Sequence, residues 1–267
     1  MRRIAILLTV AAAAVAALVP AVSFVSSSAS PGSSSAYQLL QMNLCLSGQA
    51  GCYSRSTYSS ILDEATGQIA GRDPEAVTLN EVCSADAADL ARRTGYRMWF
   101  APVRYGGLPL PCVDPRGRGL FGIAVLTKDD IGSSRSGAFA AQADAEERRW
   151  LCATTGSPDD SVTVCTAHLG TRESAGERVA NDAECRELES VLARHQAAGT
   201  TLFGGDVNRQ GSCAPSGMWV TRDTSASQTA GVQHIYGAAS AAPLSASVAD
   251  ATYTDHDFLL AAATASP

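Results

Sequence analysis

The sequence predicts a single α/β domain in which parallel and antiparallel strands are mixed. Three observations carry this. Short apolar runs alternate with longer amphipathic ones along the 267-residue chain, the pattern of strands interleaved with helices. No internal repeat or linker divides the chain after its N-terminal segment. The stretch from Arg149 to Ala167 reads as a hairpin, which demands antiparallel neighbours.

The chain opens with Arg2, Arg3, an apolar run from Ile4 to Val19, Pro20 and the tract "SSSASPGSSSA". A basic start, a short apolar core and a small-residue tract describe a secretory signal peptide. The run is short for a membrane span of about 20 residues. Residues 1–36 are therefore expected to be signal peptide and Ser-rich segment, cut between Ser23 and Ala36. Residues 37–267 are the expected extracellular domain, a monomer without stable membrane insertion.

From there "YQLLQMNLC" predicts a strand, and "TYSSILDEATGQIAG" a helix with Tyr58, Ile61, Leu62, Ala65 and Ile69 on one face. "EAVTLNE" is strand-like. "SADAADLARRTG" offers Ser84 as N-cap and Gly95 as stop. "YRMWFAPV" and "FGIAVLTK" are strands flanking a loop rich in Pro, Gly and Arg. A helix is predicted from Arg172 to Ala198, with Val179, Ala183, Leu188, Val191 and Leu192 on its apolar side. "TTLFGG" and "HDFLLAA" supply further strands, the glycines ending the first of these. Asp206 and Asn208, two positions apart, would share a side if the backbone stayed extended beyond the glycines.

The net charge is −6, and without Arg2 and Arg3 acidic side chains outnumber basic ones by eight. That argues against a broadly basic surface for nucleic acid, but not against a nucleic-acid enzyme that recruits a cation. All eight cysteines lie after the signal segment, which in an exported chain reads as a disulfide framework. Cys45–Cys52 would close a short loop, and Cys152–Cys165 would face each other across the hairpin. Cys83, Cys112, Cys185 and Cys213 can pair in three ways, of which Cys83–Cys112 with Cys185–Cys213 is preferred.

Polar residues sit at or beside the apolar strands: Asn43, Glu81, His168, Asp206, Asn208, Asp255 and His256. Singly, each suits a solvated or structural role. Together they hold the parts of a metal-assisted hydrolytic site: carboxylates for a hard cation, and histidines with a further carboxylate for protons and developing charge. No H-E-x-x-H helix or G-x-S-x-G elbow supports a metalloprotease or serine hydrolase.

In order, "QMNLC", "LNE", "TAHL", "GGDVN" and "TDHD" resemble the motifs of the endonuclease/exonuclease/phosphatase superfamily, over about Gln38 to Leu260. The resemblance implies a four-layer α/β sandwich, two mixed sheets face to face with helices outside. It implies Glu81, with Asn43 and Asp255 beside it, as ligands of magnesium or manganese, calcium being a structural alternative. It implies Asp206 for the attacking water, Asn208 for the phosphate or a catalytic neighbour, and His168 and His256 flanking the phosphate. Either Arg148 or Arg149 would contact the phosphate, since adjacent strand residues face opposite sides.

Two positions depart from the superfamily. "GVQHIY" places Gln233 where an Asp ordinarily orients the last histidine, so Gln233 is expected to hold His256 and leave its pKa near the ordinary 6.5 or lower. The tyrosine that the superfamily's abasic-site enzymes place before the Gly-containing strand also has no counterpart, since Leu120 and Phe121 stand there. The expected function is a secreted, metal-dependent phosphodiesterase, foremost a nuclease for extracellular DNA. A phospholipid or small phosphate ester as substrate, or a catalytically silent binding module, are the alternatives.

Overall fold

The computed structural model describes residues 36–49, 57–157 and 161–264. The chain divides into Met1–Ser33, outside the described residues, and Ser34–Pro267, which carries every element. The expected signal peptide and Cys52 therefore lie outside them.

The elements run β1 (Ala36–Asn43), α1 (Tyr58–Arg72), β2 (Ala76–Cys83), α2 (Ser84–Thr94), β3 (Arg97–Pro102), β4 (Arg104–Tyr105), β5 (Leu108–Pro109) and β6 (Phe121–Thr127). They continue as β7 (Ile131–Ala138), β8 (Arg149–Thr155), β9 (Val162–His168), α3 (Ala175–Ala198), β10 (Thr200–Asp206), β11 (Met218–Arg222), β12 (Gln233–Ala238), β13 (Pro243–Ala249) and β14 (Phe258–Thr264). One mixed sheet has the order β13-β14-β1-β2-β6-β3 and the other β11-β12-β10-β9-β8-β7. β4 and β5 form a separate small hairpin.

Strand alternation explains the layering. Leu40, Met42, Val77 and Leu79 turn outward and pack with Ile61, Leu62, Ala65 and Ile69 of α1 and Leu90 of α2. Their neighbours in sequence, Leu39 and Ala76, turn inward to meet Leu151, Val164, Leu202 and Ile235 of the second sheet. Cys165, Phe203 and Tyr236 face outward again, against Leu188, Val191 and Leu192 of α3. Successive side chains on opposite faces thus build three apolar layers between helix, sheet, sheet and helix. Gly204 lets the sheets approach, because a Cβ there would lie 2.3 Å from Thr78 Oγ1.

Several expectations are corrected. Cys83 is the N-cap of α2, without a side-chain cap bond, because Ser84 Oγ accepts instead from Leu120 N–H. Val179 is 71% exposed; the buried face of α3 runs through Ala180, Asn181, Glu184, Cys185, Leu188, Val191 and Leu192. The glycines of "LFGGD" do not end β10, which continues to Asp206.

Three bridges are present among the described residues: Cys83–Cys112, Cys152–Cys165 and Cys185–Cys213. The second joins directly opposed residues of β8 and β9. Cys45 is also disulfide-bonded.

Candidate active site

Along the seam between the sheets the inward-facing residues change character. At one end they are Leu39, Ala76, Val164 and Leu202. Two residues on come Gln41, Thr78, Thr166 and Gly204, and two further Asn43, Asn80, His168 and Asp206. Register keeps these last four together, since Asn43 pairs with Asn80 and His168 with Asp206. A strand period of two therefore delivers four polar side chains to one end of the sandwich. His168 and Asp206 border a cavity of about 490 Å3 there, whose lining also includes Glu81, Arg148, Asn208, Asp255 and His256.

Asp206 is the hub. Its Oδ1 accepts the Asn208 N–H at 2.9 Å. Its Oδ2 accepts from Asn43 Nδ2 at 3.0 Å and lies 3.2 Å from His256 Nε2. Burial alone would raise this carboxyl, but His256 and Asn43 outweigh it and hold Asp206 well below the usual carboxylate range. His256 also meets Asp255 Oδ1 through Nδ1 at 3.0 Å. Burial opposes its charge, yet the bonds to Asp206 and Asp255 carry its pKa up to about 11. The ring is an imidazolium.

His168 is the opposite case. Burial, and then the charge of Arg148, push its pKa down to about 3. Arg148 Nη1 lies 3.3 Å from His168 Nδ1. A guanidinium only donates, so Nδ1 accepts and the neutral ring carries its proton on Nε2. That atom lies 3.2 Å from Asn208 Nδ2 and 3.8 Å from Glu81 Oε1. Two histidines thus hold different protonation states in one cavity.

Glu81 stands on an irregularity of the β2–β6 ladder, where the register shifts between Leu79 and Val82. Its φ of 52° is left-handed, a conformation that costs a non-glycine residue about 1–2 kcal/mol. The bulge turns Glu81 out of strand alternation and into the cavity. Burial lifts its pKa to about 7, with Asp206 and Asp255 adding to the rise.

Below the cavity a buried amide network ties the sheets. Asn80 Oδ1 accepts from Asp206 N–H and from Gln41 Nε2, both at 2.8 Å. Asn80 Nδ2 donates to Thr166 Oγ1 and Ala167 O, each at 3.2 Å. Asn80 escaped the sequence reading, although it shares "LNE" with Glu81 and alternates with Thr78 and Ala76.

Three expected roles change. Gln233 does not orient His256. Its Oε1 accepts from Gln41 Nε2 at 3.3 Å, and its Nε2 donates to Asp257 O. It pairs with Asp206 across the β10–β12 ladder but is spent within the buried network, while Asp206 itself grips the histidine. Asn43 turns its amide nitrogen toward the site, donating to Glu81 Oε1 at 2.9 Å as well as to Asp206, while its Oδ1 accepts from Cys45 N–H. It bridges two carboxylates rather than offering an oxygen to a metal. Arg149 turns away to Pro102 O and Glu147, and only Arg148 lines the cavity. Asn208 also reaches the site by a different route from strand alternation. Its φ is 50°, and its N–H bond to Asp206 closes an Asx turn.

Among the described residues, the only trio of His, Cys, Asp or Glu donors within 4.8 Å of one another is Cys152, Cys165 and His195. The two sulfurs are bonded to each other and offer no thiolate. The cavity instead presents Glu81, a half-buried carboxylate crowded by Asp206 and Asp255, the latter partly exposed. One or two carboxylates, with water and substrate oxygens completing the shell, suit magnesium. The residues present fit such an ion.

No family model matches the chain, and no curated protein matches it in sequence. Solved structures do match. An endonuclease/exonuclease/phosphatase from Beutenbergia cavernae superposes with a TM-score of 0.68 at 17% identity, over 86% of this chain and 72% of that one. The human Nocturnin catalytic domain with bound sulfate gives 0.65 at 15% identity, over 86% and 94%. TDP2 from D. rerio, complexed with single strand DNA product, gives 0.61 at 17%, over 85% and 98%. The chain has the endonuclease/exonuclease/phosphatase fold.

Proposed function

We propose that this protein is a secreted phosphodiester hydrolase assisted by a divalent cation, with extracellular DNA as its foremost substrate. The observation that carries the proposal is the cavity in which a charged His256–Asp206 pair faces a neutral His168 backed by Arg148. A phosphodiester is an anion that repels a nucleophile, and water attacks poorly near neutral pH. Both obstacles yield to fixed positive charge and to a held water. A protein of the same fold has been captured with a single strand DNA product, which supports this substrate class.

The roles follow from the protonation states. Asp206 is ionised, accepts only, and aligns the attacking water toward phosphorus. Its low proton affinity suits orientation better than outright removal of the proton. His256 and Arg148 stabilise the charge that grows on the non-bridging oxygens. His168 presents an N–H from Nε2 to the phosphate or leaving oxygen, its ring held through Nδ1 by Arg148. Glu81 and Asp255 would hold magnesium or manganese, which supplies Lewis-acid neutralisation of the phosphate. Export follows from the N-terminal segment and agrees with the bridged cysteines.

One observation favours a second reading. The β4–β5 hairpin exposes Tyr105 and Leu108 beside the cavity, and Tyr105 lines it. An apolar hairpin at the rim suits a lipid phosphodiester. Assays of the purified protein on plasmid DNA, RNA and sphingomyelin vesicles, with and without chelator, separate the readings. Chelator-sensitive cleavage of nucleic acid is the expected result. Vesicle hydrolysis alone would select the second reading, and no hydrolysis of any substrate would select a silent binding module.

A further inference from the structure

Two arginines that serve none of the roles above stand beside the cavity. Arg172 follows β9, four residues after His168, and Arg209 follows β10, three after Asp206. Both reach one place on α3. Arg172 Nη1 lies 2.6 Å from Asp182 Oδ1 and 2.9 Å from Asn181 Oδ1. Arg209 Nη1 lies 2.8 Å and 3.2 Å from the same two oxygens. One carboxylate is thus shared by two guanidiniums, leaving a net positive charge.

The loops that carry them are held firmly. Asn181 Nδ2 donates to Gly170 O at 2.7 Å and to Val207 O at 3.0 Å, so one buried amide clamps both chains. The two side chains line a second cavity, of about 390 Å3, together with Asn208, Gln210, Gly211 and Val232. Asn208 lines the catalytic cavity as well, so the two adjoin. Arg209 Nε is buried and has no hydrogen-bond partner, a donor without an acceptor in an otherwise paired cluster.

We propose that Arg172 and Arg209 form a second anion subsite, which takes the phosphate next to the scissile one on a nucleic-acid strand. The inference rests on the phosphodiesterase reading and deepens it: the substrate is a chain of phosphates, not an ester with a single one. It also answers how an acidic protein holds a polyanion. The positive charge is concentrated at two residues beside the site instead of spread over the surface. The shared contacts with Asn181 and Asp182 hold both guanidiniums in place before binding, which lowers the entropy lost on binding.

The test uses the disulfide-intact protein and the variants Arg172→Gln, Arg209→Gln and Arg209→Lys, with Arg97→Gln as a remote charge control. Two substrates are compared: a single-stranded oligonucleotide and bis(4-nitrophenyl) phosphate, which has one phosphodiester and no neighbour. The Gln variants should raise KM for the oligonucleotide about tenfold or more, one good charged contact. They should leave kcat/KM for the small ester within about twofold of wild type, and Arg209→Lys should lie between. The salt slope of oligonucleotide affinity should flatten by about 0.7 per arginine removed. Equal loss on both substrates would mean that the arginines only brace the loops, and overturns the subsite. No loss on either overturns it too. If the wild type hydrolyses neither substrate, the phosphodiesterase reading fails by itself. Fluorescence anisotropy with the same oligonucleotide then decides the subsite: weaker binding by the Gln variants alone upholds it, and equal binding overturns it.

Discussion

His256 Nε2 lies 3.2 Å from Asp206 Oδ2, and this contact joins the two sheets at the mouth of the sandwich. Asp206 ends β10 in one sheet, and His256 precedes β14 in the other. Asp206→Asn and His256→Asn should each lower turnover at least about a hundredfold, the lower range for losing such assistance. The double mutant should be less than additive, because both act on one transition state. Additive losses in a double-mutant cycle would separate the two.

The charge state of the pair sets a pH window. Asp206 is depressed in the fold, so its share of stability is present above the unfolded value of 3.8 and is lost as pH falls. His256 is raised to about 11, so its share is complete below 6.5 and fades as pH climbs toward 11. Rate profiles should therefore show no falling limb near pH 6.5 from His256. A falling limb there that His256→Asn removes would contradict the ion pair.

Glu81 gives a second, opposite dependence. Its folded pKa of about 7 exceeds the ordinary 4.5, so without cation its contribution is complete below 4.5 and is lost as pH rises through 7. In chelator at pH 8, Glu81→Gln should melt higher than wild type. Cation affinity should rise about tenfold per unit up to pH 7 and then level off, since the ligand must lose its proton. Calorimetric titration with manganese from pH 5.5 to 8 measures this. A flat affinity would remove Glu81 as a ligand.

Gln233 is the third case. Gln233→Asp would set a carboxylate against Asp257 O and beside Asp223, whose own pKa burial and Asp206 already raise to about 6. Denaturant unfolding should show a loss of about 2–3 kcal/mol, the cost of breaking a buried polar network. The pH–rate profile should keep its shape. A profile extended to higher pH would restore Gln233 as the partner of His256.

Cys185–Cys213 ties α3 to the loop beyond Asn208, across 28 residues. Replacing both by serine should cost about 3–4 kcal/mol on loop-entropy grounds and lower kcat by loosening Asn208. Melting and initial rates on the same preparation check both. Unchanged stability would mean that the bridge adds nothing to the fold.

Hydrophobic periodicity and turn residues are local signals, so the sequence by itself determined the strand–helix alternation, the hairpin bridge of Cys152 and Cys165, and the placement of Glu81, His168, Asp206 and His256 beside apolar strands. β7 and β13 escaped because they are largely exposed edge strands of small and mixed residues, where no core enforces alternation. The tertiary structure alone decided what those polar groups touch and what charge they carry. His256 lies 50 residues from Asp206, and its charge depends on a neighbour that sequence spacing does not reveal. The same holds for His168, which burial beside Arg148 keeps neutral, and for Gln233, which a contact with Gln41 across 192 residues draws into the amide network. Which face a side chain takes is set by its own strand; its partner and protonation are set by the sheet that packs against it.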